Sequence, residues 1–267
     1  MSEPVADSTP LVTALQPAVR RIATDALALG PGATLPTNAA YLKDNGIGAG
    51  TIQRALNLLR DRSAVTITSR GHLGRTIDTV DVGQAWQAAG LAPVRLLLPP
   101  AGPAEIDVLE QALAQDLTGL GIPHTVRHQS GGAGRLDAIA RGSDDIAVVS
   151  AGVVNERGSA GTAPSLQREL PAGTYYAAGR LAVVRRTDKV DQPVKRVAID
   201  HRSPDHVVLT CEEFPPSDDL TLVEISFPNV PAAVLRGDVD AGIWHITKSL
   251  IPLDLAGLTV RPLQQAD

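Results

Sequence analysis

The chain has 267 residues, 43% hydrophobic, 20% charged and 3% aromatic, a globular composition over a length that suits one large or two modest domains. No apolar run approaches the roughly 18 residues of a membrane span, and residues 1–10 are acidic and polar, so a soluble cytoplasmic protein without membrane attachment is expected. The net charge of -5 is uneven: residues 1–80 carry +2 and the remainder -7, while 41–76 hold six basic residues against two acidic, a patch that suits a polyanion.

Leu11, Leu15, Val19, Ile22, Ala23, Ala26 and Leu29 recur at steps of three and four, which predicts an amphipathic helix stopped by Gly30, Pro31 and Gly32. Thr37 is placed to cap a short helix through Leu42, followed by a turn at Asp44, Asn45 and Gly46. A third helix runs from Gly50 or Thr51 to about Arg62, with Ile52, Ala55, Leu56 and Leu59 facing inward. The β-branched run 65–68, the two-glycine turn 69–74 and the return 75–77 predict a hairpin. Three helices and a hairpin in this order make a winged helix-turn-helix.

Leu35-Pro36, then 50–56 (Gly-Thr-Ile-Gln-Arg-Ala-Leu), then 70–74 (Arg-Gly-His-Leu-Gly) resemble the GntR-type DNA-binding domain, most closely that of the YhfZ-type bacterial regulators, over about residues 11–77. One departure is that Gly48 and Gly50 flank Ala49 where the general family offers serine and arginine, leaving backbone amides in place of side-chain contacts. The resemblance implies double-stranded operator DNA as a partner. In such a domain the exposed third helix enters the major groove, so Thr51, Gln53 and Arg54 are candidates for base or phosphate contacts. Thr37 on the second helix and Arg70, His72 and Arg75 on the wing complete the candidate DNA surface. The plainer reading of Gln53 and Arg54 is a solvated helix face, and of His72 an incidental surface residue.

Residues 81–92, with a short helix around 82–89, are expected to be a linker between an N-terminal domain of 1–80 and a second domain of 93–267. From Val94 onward, apolar or β-branched runs at 94–98, 123–128, 146–150, 181–185, 194–199, 220–226, 241–244 and 258–262 alternate with helical segments such as 106–120. The alternation predicts an α/β domain of parallel strands. Cys211 is the one cysteine, which excludes an internal disulfide framework and a multi-cysteine zinc site and reads as a packed or idle thiol.

Two phrases in this region match, 139–147 (Ile-Ala-Arg-Gly-Ser-Asp-Asp-Ile-Ala) and 234–241 (Val-Leu-Arg-Gly-Asp-Val-Asp-Ala). Each reads as helix, glycine turn, aspartate and buried strand, with structural work for the glycine and aspartate. The pattern resembles the two-lobed periplasmic-binding-protein type 2 fold, which implies an effector-sensing domain. Ligands in such domains lie at the carboxyl ends of the parallel strands. That rule selects Ser130 and Arg135 on a glycine-rich helix start, Ser150 and Ala151, Asp200, Arg202 and Ser203, and Trp244 with His245. Arg202 has a competing reading as an ion pair with Asp200 or Asp205, and Trp244 as core filling.

Sequences that imitate enzymes do not complete their motifs. Residues 242–249 approach the phosphate loop, but Thr247 stands where close backbone approach needs glycine. Ser150 lacks the first glycine of a nucleophile elbow. His124 and His128 share a strand face with no third metal ligand nearby. The expectation is a non-enzymatic, ligand-responsive transcription regulator without cofactor or metal, a homodimer joined through its acidic C-terminal domain, sensing a small anionic or polar metabolite. The alternative is an enzyme or solute-binding protein on the two-lobed fold, with an N-terminal helical domain that does not bind DNA.

Overall fold

A computed structural model describes residues 10–69, 74–159, 166–177, 179–246 and 252–264. These fall into two compact units, Met1–Pro93 with Gln115–Pro123, and Val94–Ala114 with His124–Asp267.

In the first unit α1 (Pro10–Leu29) buries Ala18, Val19, Ile22, Ala23 and Ala26 along one stripe and ends at Gly30, whose φ of 75° only glycine adopts readily. The alanines in this stripe let α3 (Ala49–Asp61) and a later helix pack closely on it. Between them α2 (Asn38–Asn45) starts where Thr37 Oγ1 accepts the Ala40 N–H at 3.2 Å, and ends at Gly46 in the left-handed conformation. It therefore outruns the expected end at Leu42, and Asp44 and Asn45 belong to its last turn. On α3 the buried residues are Ile52, Ala55, Leu56 and Leu59, as its periodicity predicts.

The hairpin pairs β1 (Val65–Ser69) with β2 (Arg75–Val80), longer than expected and bulged between Thr66 and Ile67. Residues 32–35 add a third backbone track to β2. The Gly32 N–H donates to Ile77 O at 2.7 Å, the Ile77 N–H to Ala33 O at 2.9 Å and the Leu35 N–H to Arg75 O at 2.9 Å. These bonds tie the loop before α2 to the wing, so the helices and hairpin form one body.

The segment 81–92 is not a free linker. It carries α4 (Val82–Ala89), capped by Asp81, whose carboxylate accepts the Gln84 N–H at 2.9 Å, and closed by left-handed Gly90. Ala85, Ala88 and Ala89 join the same apolar core as α1 and α3. A Cβ on Gly83 would stand 2.9 Å from both Gly121 Cα and Leu120 O, so only glycine allows this backbone approach. Small residues replace a conventional apolar face here, which is why the segment reads as a connection.

The second unit repeats one supersecondary pattern. In its first copy β3 (Val94–Leu98), α5 (Ala104–Gly119), β4 (His124–His128), α6 (Gly132–Ala140) and β5 (Ile146–Ala147) form a parallel three-stranded sheet in the order β4-β3-β5. After α7 (Ala151–Ser159) and β6 (Leu181–Arg186), the pattern returns as β7 (Arg196–Ile199), α8 (Pro204–Glu213), β8 (Thr221–Glu224), α9 (Val230–Arg236) and β9 (Ala241–His245), again ordered β8-β7-β9 and parallel. The expectation of an all-parallel domain needs correction, because β6 runs antiparallel to β9 and pairs outside with antiparallel β10 (Leu258–Pro262). Among the described residues the architecture is thus a helix-turn-helix unit and an α/β unit of two sheets.

The matched phrases perform the same job in both copies. Gly142 and Gly237 turn the chain in the left-handed conformation. Asp145 then accepts the Arg95 N–H at 2.9 Å and pairs with its guanidinium at 2.8 Å, while Asp240 accepts the Lys195 and Arg196 N–H groups at 3.0 and 2.8 Å and pairs with the Arg196 guanidinium at 3.1 Å. Each aspartate clamps the start of its strand to the start of the central strand beside it. The side-chain and backbone hydrogen bonds from Arg95 hold the Asp145 carboxyl at about 2, below the usual carboxylate range.

The tight passage at Gly83 yields a test of α4 as part of the first core. Gly83→Ala should destabilise the protein by about 1–3 kcal/mol, the usual cost of overpacking against backbone. A lower urea midpoint with an unchanged slope is expected; an unchanged midpoint would show that α4 is not packed as described.

Candidate functional site

Two surfaces bring chemistry-bearing residues together, one in each unit. On the first, burial of one face of α3 leaves Gln53 and Arg54 exposed and Thr51 half-buried. Gln53 Nε2 donates to Asn57 Oδ1 at 3.2 Å and Arg54 Nε to Gly50 O at 3.4 Å, weak local contacts that a stronger partner can replace. Arg54 takes part in no ion pair within 4.0 Å among the described residues. Arg75 is engaged differently: its Nη1 donates to Asn38 Oδ1 at 2.7 Å and fastens the wing to the start of α2. Thr37 caps that same helix. Arg70 and His72 lie outside the described residues.

The second site is a cavity of about 60 Å³ in the α/β unit. Its wall is built from the carboxyl ends of the parallel strands: Pro99 and Pro100 after β3, Ser130 and Gly131 after β4, Asp200 and Ser203 after β7, Phe227 after β8, and His245 at the end of β9. The three-stranded and the five-stranded sheet therefore both contribute. Water-sized space of that volume holds a few solvent molecules or one small organic ion.

Among the described residues Arg135 is the largest fully buried side chain, 2% exposed, and it lines this cavity. Its Nε donates to Val148 O at 2.8 Å, Nη1 to Gln129 O at 2.6 Å and Nη2 to Tyr175 Oη at 2.8 Å. All three partners are neutral, and no carboxylate lies within 4.0 Å of the guanidinium among the described residues. Burial holds the Tyr175 and Tyr176 phenols above their ordinary range, so both stay protonated. Two helix N-termini also open here. Gly131 precedes α6 with φ 80°, and a Cβ on Gly132 would be 2.5 Å from Val153 Cγ2; Ser203 precedes α8. The partial positive charge of such termini adds to that of Arg135.

The lining carboxylate, Asp200, is already used. Its Oδ1 accepts the Arg202 N–H at 3.0 Å and Nε at 3.2 Å, and its Oδ2 accepts the Phe227 N–H at 2.8 Å. Burial alone would raise its pKa, but the Phe227 amide and the two Arg202 donors outweigh burial and leave it lowered. Behind it His206 is fixed as a neutral tautomer: the Asp200 N–H donates to Nδ1 at 2.9 Å and Nε2–H donates to Ile243 O at 3.1 Å, while burial lowers its pKa. Asp200 thus holds the loop after β7 against the loop after β8.

The cavity gathers Ser130, Arg135, Asp200, Ser203 and His245 of the sequence candidates. Ser150 is buried with its Oγ unbonded, and Ala151 is exposed at the start of α7; neither lines the cavity. Arg202 is engaged with Asp200, and Trp244 packs with the core around Val184 and Val230. His128 Nδ1 bonds Pro99 O at 2.6 Å and its Nε2 lies 3.2 Å from Glu110, while no cluster of metal-ligating residues occurs among the described residues. Tyr175, Tyr176 and Phe227 were not anticipated. They are three of only seven aromatic residues in the chain, and a Tyr-Tyr pair in the loop before β6 was the available signal.

The Asp200 contacts set a pH dependence. Its folded pKa is lowered, so its contribution is complete above the unfolded value near 4 and is lost as pH falls through the folded value. Asp200→Asn should therefore destabilise the protein by about 1–3 kcal/mol at pH 7. The gap to the parent, measured by urea unfolding, should narrow steadily below about pH 4.

Comparison with known proteins matches these two parts. Residues 31–77 match the model of a helix-turn-helix domain, and residues 81–267 that of the YhfZ C-terminal domain. The protein YhfZ of Escherichia coli (strain K12) is 28% identical over 214 residues, 80% of this chain and 68% of that protein. The crystal structure of YhfZ from Shigella flexneri, 28% identical, covers 65% of this chain and 71% of its own at a TM-score of 0.47. The alkanesulfonate-binding protein SsuA from Xanthomonas axonopodis pv. citri, bound to MOPS, is 19% identical, with 66% and 61% covered and a TM-score of 0.46. Since the second family match spans more than half of its length, the chain belongs to the family of the YhfZ C-terminal domain, and it carries a helix-turn-helix domain before that region.

Proposed function

We propose that the protein is a ligand-responsive transcription regulator that binds operator DNA through its helix-turn-helix unit and a small anionic metabolite in the cavity of its α/β unit. The observation that carries this reading is the buried Arg135 guanidinium, which faces a cavity with neutral partners only. An unpaired charge out of water is costly, and a bound anion removes that cost. It acts in the cytoplasm, where operator DNA is found. DNA contact falls to Thr51, Gln53 and Arg54 on α3, with Thr37, Arg70, His72 and Arg75 flanking. Of these, Arg54 combines exposure with a charge that no carboxylate pairs within 4.0 Å among the described residues. A single such unit makes few phosphate contacts, so the protein works as a dimer on paired half-sites.

The test begins with duplex selection from a random pool, followed by fluorescence anisotropy on the selected site. Binding by the full chain should weaken steeply with salt. Arg54→Ala should cost about 1–3 kcal/mol, or roughly five- to 150-fold in Kd. Selection that enriches no duplex, or Arg54→Ala binding as tightly as the parent, would remove the DNA-binding reading. Light scattering that finds only monomers, both alone and on the selected duplex, would remove the dimer.

A further inference from the structure

The end of the cavity away from Arg135 has the opposite need. His245 is 1% exposed and lines the cavity, yet neither ring nitrogen has a hydrogen-bond partner among the described residues. Burial lowers its pKa, so near neutral pH the ring carries one N–H and one lone pair. Glu105 Oε2, also buried and without a hydrogen bond, lies 3.7 Å from His245 Nε2, while Arg180 lies 4.0 Å from Glu105 Oε1 on the other side. The carboxylate favours the proton on Nε2, which leaves Nδ1 a buried acceptor with no donor. Arg135 has neutral partners only and lacks an anion; His245 Nδ1 is an acceptor without a donor among the described residues, and Glu105, which does not itself line the cavity, stands behind the ring with Arg180 at the limit of ion-pair distance.

Tyr175 and Tyr176 connect the two ends. Arg135 bonds the Tyr175 hydroxyl, the two rings meet edge to face at 4.6 Å, and the Tyr176 ring lies 5.8 Å from that of His245. Aromatic rings are good neighbours for an ammonium group as well as for an imidazole. Asp205 acts on both tyrosines through its charge but forms no ion pair with Arg135, and Asp200 is occupied by Arg202 and Phe227.

We propose that the cavity binds a small zwitterion, its anionic head at Arg135 and the starts of α6 and α8, and its ammonium group at His245 Nδ1, with the Glu105 carboxylate behind the ring orienting it. The proposal rests on the ligand-sensing reading above and adds the second charge. An ammonium group supplies the donors that this end lacks, and the roughly 60 Å³ of space limits the linker to a few carbons.

The test uses calorimetric titration of the full chain with matched probes: β-alanine against propionate and 3-hydroxypropionate, and 2-aminoethanesulfonate against ethanesulfonate. The amino compounds should bind about tenfold to a hundredfold tighter than their amine-free partners, as expected of a charge-assisted hydrogen bond. Glu105→Gln should abolish that preference while affinity for propionate and ethanesulfonate persists. Amine-free or hydroxy acids that bind the parent as tightly as the amino compounds overturn the zwitterion and leave the anion-sensing reading standing. A preference that survives Glu105→Gln overturns the assignment of the ammonium end. If no probe of either kind binds, both the zwitterion and the anion-sensing reading fail.

Discussion

Parallel strand pairing requires each crossover to carry the chain back to the same end of the sheet, and in this protein two aspartates fasten the strands β5 and β9 there. Asp145 takes one backbone N–H and Asp240 two, each with a guanidinium, from the start of the neighbouring central strand. Hydrogen bonds to an ionised acceptor are among the stronger ones available. With both clamps at the amino ends, the carboxyl ends of β3, β4, β7, β8 and β9 all open on the cavity. The side chains that line it come from the loops after these strands, from the loop before β6, from the helices α5 and α6 and from the end of β9, all on the side opposite the clamps.

Much of this was legible in the residues. Steps of three and four located α1 and α3 with their buried faces, and β-branched runs located every strand named above. The matched phrases 139–147 and 234–241 disclosed the repeat and its structural role before any contact was known. Two things were hidden. The helix α4 is predicted over 82–89, but its packing is not, because the buried face of Ala85, Ala88 and Ala89 is too small to announce itself and the close approach to residues 120 and 121 depends on the absence of a side chain at Gly83. The direction of β6 and β10 is set by where distant strands pair, and strand composition does not encode direction.

The cavity divides in the same way. Strand-end reasoning brought Ser130, Arg135, Asp200, Ser203 and His245 to one place, since their position follows from topology. The competing reading of Arg202 as an ion pair with Asp200 is the one the structure bears out, while nothing in the sequence marked Arg135 as buried without a carboxylate. Both follow a strand end, yet one is buried with neutral partners while the other lies outside on a carboxylate. The contacts that decide between them run from Arg135 to Gln129, Val148 and Tyr175, and from Arg202 to Asp200, so the distinction is tertiary. Tyr175, Tyr176 and Phe227 sit on connections without period, where only the scarcity of aromatics marks them.

Comparison of the clamps with the cavity separates structural polarity from functional polarity. At Asp145, Asp240, Asp200 and His206 each polar group meets a partner of complementary charge or hydrogen-bonding sense. In the cavity region Glu105 Oε2 and the His245 ring nitrogens are buried without a hydrogen bond among the described residues, and Arg135 is buried with its hydrogen bonds made but no opposite charge beside it. A fold able to satisfy the first set would gain stability by satisfying the second, and the cost of leaving it open is of the order of 1–3 kcal/mol per group. Such a deficit persists where an external partner supplies what the chain lacks. Because Arg135 belongs to one sheet's connections and His245 to the other's, a partner that bridges them favours the arrangement in which both face the same space. Differential affinity of this kind is what allows a ligand to select one conformation over another.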